Sequence, residues 1–138
     1  MKLNNNHIFV DTNVLNGFYL NRIDDVECLK YLFSLKGKRL FISSLSIAQF
    51  AAFFEKRLTN EKIKDTIRYL FTKFTIIEFG EQDILKSLFF DYGDIEDTIQ
   101  YVIGTKLKCF YFVTNDKQFS TFWNIKALKS SEVRNIKK

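Results

Sequence analysis

Apolar positions along this chain fall into two patterns. Short β-branched and aromatic runs read as strands: Ile8–Phe9–Val10 within residues 7–11, RLFIS at 39–43, FTIIEF at 74–79, CFYFV at 109–113, and a brief fifth run at 125–128. CFYFV is apolar throughout, which predicts an internal strand. Between them lie stretches with helical spacing. Residues 13–20 and 24–36 read as helices, the second carrying Val26, Leu29, Leu32, Phe33 and Leu35 and stopping at Gly37. Residues 45–58 follow a cap at Ser43 or Ser44, and 61–72 follow a break at Thr59–Asn60. Residues 81–90 form a short helix, and 95–107 place Ile95, Ile99, Val102, Ile103 and Leu107 on one face. A helical turn is predicted at 117–122, and a loose tail from about Ser130.

Strands alternating with helices predict an α/β fold. The expected architecture is a three-layer α/β/α sandwich around a mainly parallel sheet of four to five strands. The whole of 1–138 is expected to be one domain, its core at about 7–128; no linker, repeat or proline interrupts it. In such sheets, function gathers at the carboxyl ends of the strands.

Four acids fall where that rule points. Asp11 closes the first strand, and Asp116 follows the fourth in FVTND. DYGDIEDTIQ opens a helix with Asp94 and Asp97, whose i, i+3 spacing puts both on one face of its first turn. Each has a simpler explanation by itself. Asp94 and Asp97 suit a helix N-cap and an acid in the first turn, and Asp11 and Asp116 could cap the turns after them. Together they form a repelling group, because two unit charges at 4 Å cost roughly 4 kcal/mol at an effective dielectric of 20. A cation relieves that repulsion. Oxygen donors without His or Cys select Mg²⁺ or Mn²⁺, ions that handle phosphates and can activate water.

Composition narrows the partner. Cys28 and Cys109 stand apart and His7 is the sole histidine, so a zinc site of the usual spacing cannot be built. The net charge of +5 favours a polyanion such as RNA or DNA, although scattered cations are also what a solvated surface carries. No apolar stretch is long enough for a membrane span, and Asp11 interrupts the first apolar run too early for a secretory leader. A cytoplasmic protein is the expectation.

IFVDTNVLNGFY, ISSLSIAQF and DYGDIEDTIQYVIGTKLKCFYFVTND together resemble the PIN-domain superfamily, in particular the VapC-like toxins of toxin–antitoxin pairs. The resemblance spans about 7–128. It implies an Mg²⁺- or Mn²⁺-dependent endoribonuclease that works with an antitoxin protein and forms a homodimer. It assigns the catalytic and metal-binding acids to Asp11, Asp97 and Asp116, with Asp94 accompanying them. Thr12, Asn13, Thr114 and Asn115 would support these carboxylates or a ligated water. Two positions depart from the pattern. The usual glutamate after the second strand is Gln49, which can accept a hydrogen bond but brings no charge. Glu55 lies six residues on, on another face of the helix. The acid often found two residues after the last aspartate is here Gln118.

Three functions follow. The first is hydrolysis of RNA phosphodiester bonds at a metal-activated water, with Lys and Arg holding the backbone and aromatic rings stacking bases. The second is a degenerate PIN domain that only binds RNA or protein, motivated by Gln49. The third is a phosphoryl-accepting α/β fold with Asp11 as acceptor and Lys117 beside the acids.

Overall fold

The structure, a computed structural model, describes residues 2–91, 94–122 and 124–137, with the side chains of Gln118 and Thr121 outside the described set. Among the described residues, five parallel strands form one sheet: β1 (Asn4–Val10), β2 (Arg39–Ser43), β3 (Thr75–Ile77), β4 (Cys109–Val113) and β5 (Lys126–Leu128), ordered β3-β2-β1-β4-β5. β1 is central, and Phe9 lies in register with Phe41 on one side and Phe112 on the other. The sheet is all-parallel rather than mainly so, and β4 is internal as its sequence predicts.

Period-two alternation divides the core. Ile8, Val10 and Ile42 enter one cluster with Leu15 of α1 (Thr12–Tyr19) and Leu29 and Leu32 of α2 (Ile23–Ser34). Phe9, Phe41 and Phe112 enter the other with Ile99, Val102 and Ile103 of α6 (Ile95–Lys106). A third cluster joins Phe50 and Phe54 of α3 (Ser44–Phe54) to Ile63 of α4 (Asn60–Lys73). The short α5 (Glu81–Ser87) leads from the β3 side to α6. Gly104 lets α6 lie close on the sheet, since a Cβ there would meet the Phe112 ring at 2.2 Å.

Several boundaries differ from the sequence pattern: α3 ends at Phe54 rather than 58, β3 is confined to Thr75–Ile77 rather than 74–79, and α5 ends at Ser87 rather than 90. Two differences reach further. β1 starts at Asn4, because the Asn4 amide reaches the Lys108 carbonyl at 2.7 Å across an irregular register, which needs no apolar side chain. Residues expected to trail off after Ser130 instead form a 3-10 helix, Ser130–Asn135, packed on α2. Val133 and Ile136 are buried there, and the Tyr31 hydroxyl donates to the Ile136 carbonyl at 2.8 Å. Among the described residues, no helix is long and apolar enough to cross a membrane.

Candidate active site at the carboxyl edge

Asp11 follows the last residue of β1 and caps α1. Its extended backbone turns the carboxylate onto the Thr12 amide, which donates to Oδ1 at 2.8 Å. Two side chains serve Oδ2: the Thr114 hydroxyl at 2.8 Å and the Asn13 amide at 3.2 Å. Thr114 stands immediately after β4, so neighbouring parallel strands deliver both partners to one edge. The Thr114 oxygen also accepts from the Asp116 amide at 3.0 Å, which fixes the turn that carries the last acid. Burial pushes the Asp11 carboxyl up to about 6; the Thr114 and Thr12 hydrogen bonds oppose this, and the charges of Asp116 and Asp94 add to it.

Asp94 is the N-cap of α6, its Oδ1 accepting from the Asp97 amide at 2.8 Å. The capping explanation therefore holds for Asp94, and the same geometry seats Asp97 in the first turn, facing the strand ends. Burial pushes the Asp97 carboxyl up to about 8, reinforced by a hydrogen bond with Asp116 and by the charges of Asp116, Asp94 and Asp11. Its Oδ2 is buried without a hydrogen-bond partner. All four predicted acids thus influence one another electrostatically at the same edge. Among the described residues, however, no three His, Cys, Asp or Glu side chains close into a ready-made metal cage. A buried, unpartnered carboxylate oxygen beside mutually repelling acids is what a divalent cation would complete, and an all-oxygen donor set suits Mg²⁺ or Mn²⁺.

Gln49 reaches the site through Thr12. Its Oε1 lies 2.6 Å from the Thr12 hydroxyl and 3.3 Å from the Gln100 amide nitrogen, both donors. Among the described contacts Gln49 does not touch the acids themselves; it stands one residue behind Asp11. The reason is a polar network that sequence reasoning missed. The Gln100 amide also donates to Ser46 at 3.0 Å, its Oε1 accepts from Ser43 at 2.7 Å, and Ser43 caps α3 through the Ser46 amide at 2.9 Å. Ser43, Ser46 and Gln100 are buried. A glutamine inside the otherwise apolar IQYVIG at 99–104 was the available signal. Glu55 is exposed at the C-cap of α3.

Asn13 and Asn115 connect a second missed residue. The Asn115 amide N–H donates to Asn13 Oδ1 at 3.2 Å, and its side-chain nitrogen donates to Asp25 Oδ1 at 2.9 Å. Asn115 Oδ1 accepts from the Ser130 amide at 3.0 Å, so the terminal 3-10 helix also holds it. Asp25 is buried at 3% exposure in α2. Its carboxylate fits against Gly17, where a Cβ would lie 1.7 Å from Asp25 Oδ2. The helical glycine in NVLNG was the signal for that close approach. The side chain of Gln118 lies outside the described residues.

Comparison with known proteins defines the class. A family model of the PIN domain matches residues 8–122, and the chain belongs to that family. Within it, the chain is similar to ribonuclease VapC1 of Aquifex aeolicus (strain VF5), with 27% identity over 128 residues covering 85% of this chain and 86% of the relative. The fold matches the Mycobacterium tuberculosis VapC20, described as a sarcin–ricin loop cleaving toxin, with a TM-score of 0.69 at 13% identity over 86% of this chain and 97% of that one. It also matches VapBC-1 of nontypeable Haemophilus influenzae, with a TM-score of 0.69 at 17% identity over 91% of this chain and 99% of that one.

Proposed function

We propose that this protein is a Mg²⁺- or Mn²⁺-dependent endoribonuclease, the toxin of a VapC-type toxin–antitoxin pair. The observation that carries the reading is the unpartnered, buried Oδ2 of Asp97 set among Asp11, Asp94 and Asp116. Asp11, Asp97 and Asp116, with Asp94 beside them, would hold the ion. When bound, such an ion supplies positive charge at the phosphate and lowers the pKa of a coordinated water.

The chain's own residues prepare that site. Thr12, Thr114 and Asn13 hold both Asp11 oxygens in one orientation, which limits the reorganisation needed at binding. Thr114 spaces Asp11 from the Asp116 turn. Asp94 fixes the first turn of α6 and therefore the position of Asp97. Gln49 and Gln100 anchor Thr12, the residue directly after Asp11. Gln49 and Gln118 stand where the family pattern places acids, so the site carries fewer charges than that pattern, which weakens metal binding rather than relocating it.

An antitoxin partner is supported by the VapBC complexes that share this fold. A homodimer is supported by the apolar face of α5 and the residues after it, where Leu85, Leu88 and Phe89 are exposed, Phe89 at 86%. A cytoplasmic location accords with RNA as substrate. Incubation of the purified protein with RNA, with Mg²⁺ and with chelator, tests the reading: internal cleavage that requires the metal supports it, and intact RNA in Mg²⁺ and in Mn²⁺ rejects it.

A further inference from the structure

The amino edge of the sheet, opposite the acids, carries two adjoining basic clefts. One, of about 410 Å³, lies between the ends of α2 and α4 and the start of β2, and is lined in part by Lys38, Arg39 and Lys73. The other, of about 650 Å³, lies at the starts of β1 and β4 and includes Lys2 and Lys108. Lys38 joins them: its Nζ donates to the Asn6 side-chain oxygen at 3.0 Å and to the Asn5 carbonyl at 3.4 Å. Neither cleft has an acidic residue in its described lining, and none of these five cations forms an ion pair among the described residues. Helix dipoles account for Lys73, in the last turn of α4, and for Lys108 just past α6. They do not account for Lys2 or for Arg39, which stand at strand starts. Rings accompany the charge. Phe71 is 59% exposed at the cleft, and Lys73 Nζ lies 5.3 Å from the Phe33 ring centroid and 5.8 Å from that of Tyr69.

We propose that this amino edge is a second RNA-binding surface, which holds the phosphate backbone of a folded substrate away from the bond that is cut. The inference rests on the ribonuclease reading for its choice of partner. Unopposed cations beside an exposed ring are what phosphates and an unstacked base require. The seven residues of β1 separate the two edges by about 20 Å at ~3.3 Å per residue. A short single strand seated at the acids therefore does not reach the clefts, whereas a folded RNA can.

The test compares a hairpin of about 16 base pairs, long enough to present two successive minor grooves, with a single strand of about six nucleotides. The edge variant is Arg39→Gln/Lys73→Gln/Lys108→Asn; asparagine suits the left-handed backbone of Lys108, whose φ is 58°. Its control is Lys56→Gln/Lys62→Gln/Lys64→Gln, three exposed lysines elsewhere. Binding is read by fluorescence anisotropy in chelator, so it does not depend on cleavage. The edge variant should bind the hairpin about tenfold more weakly, with the salt slope reduced by about two. The control should stay within about twofold of the parent. In Mg²⁺ the edge variant should raise KM for the hairpin without changing kcat, and should treat the short strand as the parent does. Unchanged hairpin binding, an equal loss in the control, or loss of binding to anionic phospholipid vesicles without loss of binding to RNA overturns the proposal. A parent that binds the hairpin through this edge but cuts neither RNA rejects the ribonuclease reading and leaves the surface standing.

Discussion

The Thr114 hydroxyl donates to Asp11 Oδ2 at 2.8 Å, tying the end of β4 to the end of β1. Replacing it with Thr114→Val removes a bond that lowers the Asp11 pKa and strips the Asp116 amide of its acceptor. The variant should lose about 1–3 kcal/mol of stability, the cost of leaving buried polar groups unpaired. Denaturant melts measure that loss. Metal titrations should show binding shifted to higher pH.

Metal-free stability should fall as pH rises. Asp11 and Asp97 ordinarily ionise near 3.8, but in the folded chain they do so at about 6 and about 8. The folded state thus binds protons that the unfolded state has released. This contribution is fully present below about pH 4 and is lost as pH climbs through 6 and then 8. Thermal melts in chelator should give a lower Tm at pH 8.5 than at pH 5.5, and added Mg²⁺ should restore more Tm at the higher pH. A metal-free Tm that rises over this window contradicts the assignment of the raised carboxyls.

Gln49→Glu restores the charge that the family pattern has. Its carboxylate would accept from the same two donors, Thr12 and Gln100. Calorimetric titration should show Mn²⁺ binding about tenfold tighter, the lower end of what a group supporting a metal ligand contributes. The metal-free Tm should drop, because another acid joins a repelling group. If neither quantity changes, Gln49 does not belong to the site.

Gly17 and Asp25 should be energetically coupled. Gly17→Ala places a methyl 1.7 Å from the Asp25 carboxylate and should cost about 1–3 kcal/mol. Asp25→Ala alone leaves Asn115 without one partner. The double variant should be more stable than the sum of the two losses predicts, with a coupling of 0.5 kcal/mol or more. Additive losses by denaturant melts would mean that the two side chains do not meet.

What the sequence disclosed follows from how each feature is encoded. β2 and β4 matched their apolar runs because a buried parallel strand must be apolar on both faces. Asp11 and Asp116 could be brought together because parallel strands end at one edge. Asp94 and Asp97 needed only helical spacing. Asp25 was hidden because RIDDVE reads as a solvated acidic start to a helix, and only the tertiary contact with Gly17 buries one of its acids. The Ser43–Ser46–Gln100 network was hidden because each member is ordinary in its own helix or strand and gains meaning only from the others. The terminal 3-10 helix escaped because two apolar residues, Val133 and Ile136, are too few for a periodic signal.

The central claim is that the carboxyl-edge acids cut RNA with a divalent metal, and Asp11→Asn tests it most directly. The amide keeps the shape and the bond from the Thr12 amide; its NH₂ can donate to the Thr114 hydroxyl but meets the Asn13 amide donor. That loss is set against removal of a charge from the repelling group, so the fold should melt within a few degrees of the parent Tm in chelator. RNA cleavage in Mg²⁺ should fall by more than the ~10–100-fold that follows loss of a ligand's supporting partner. Cleavage by Asp11→Asn at the parent rate, in a preparation free of other nucleases, would contradict the account.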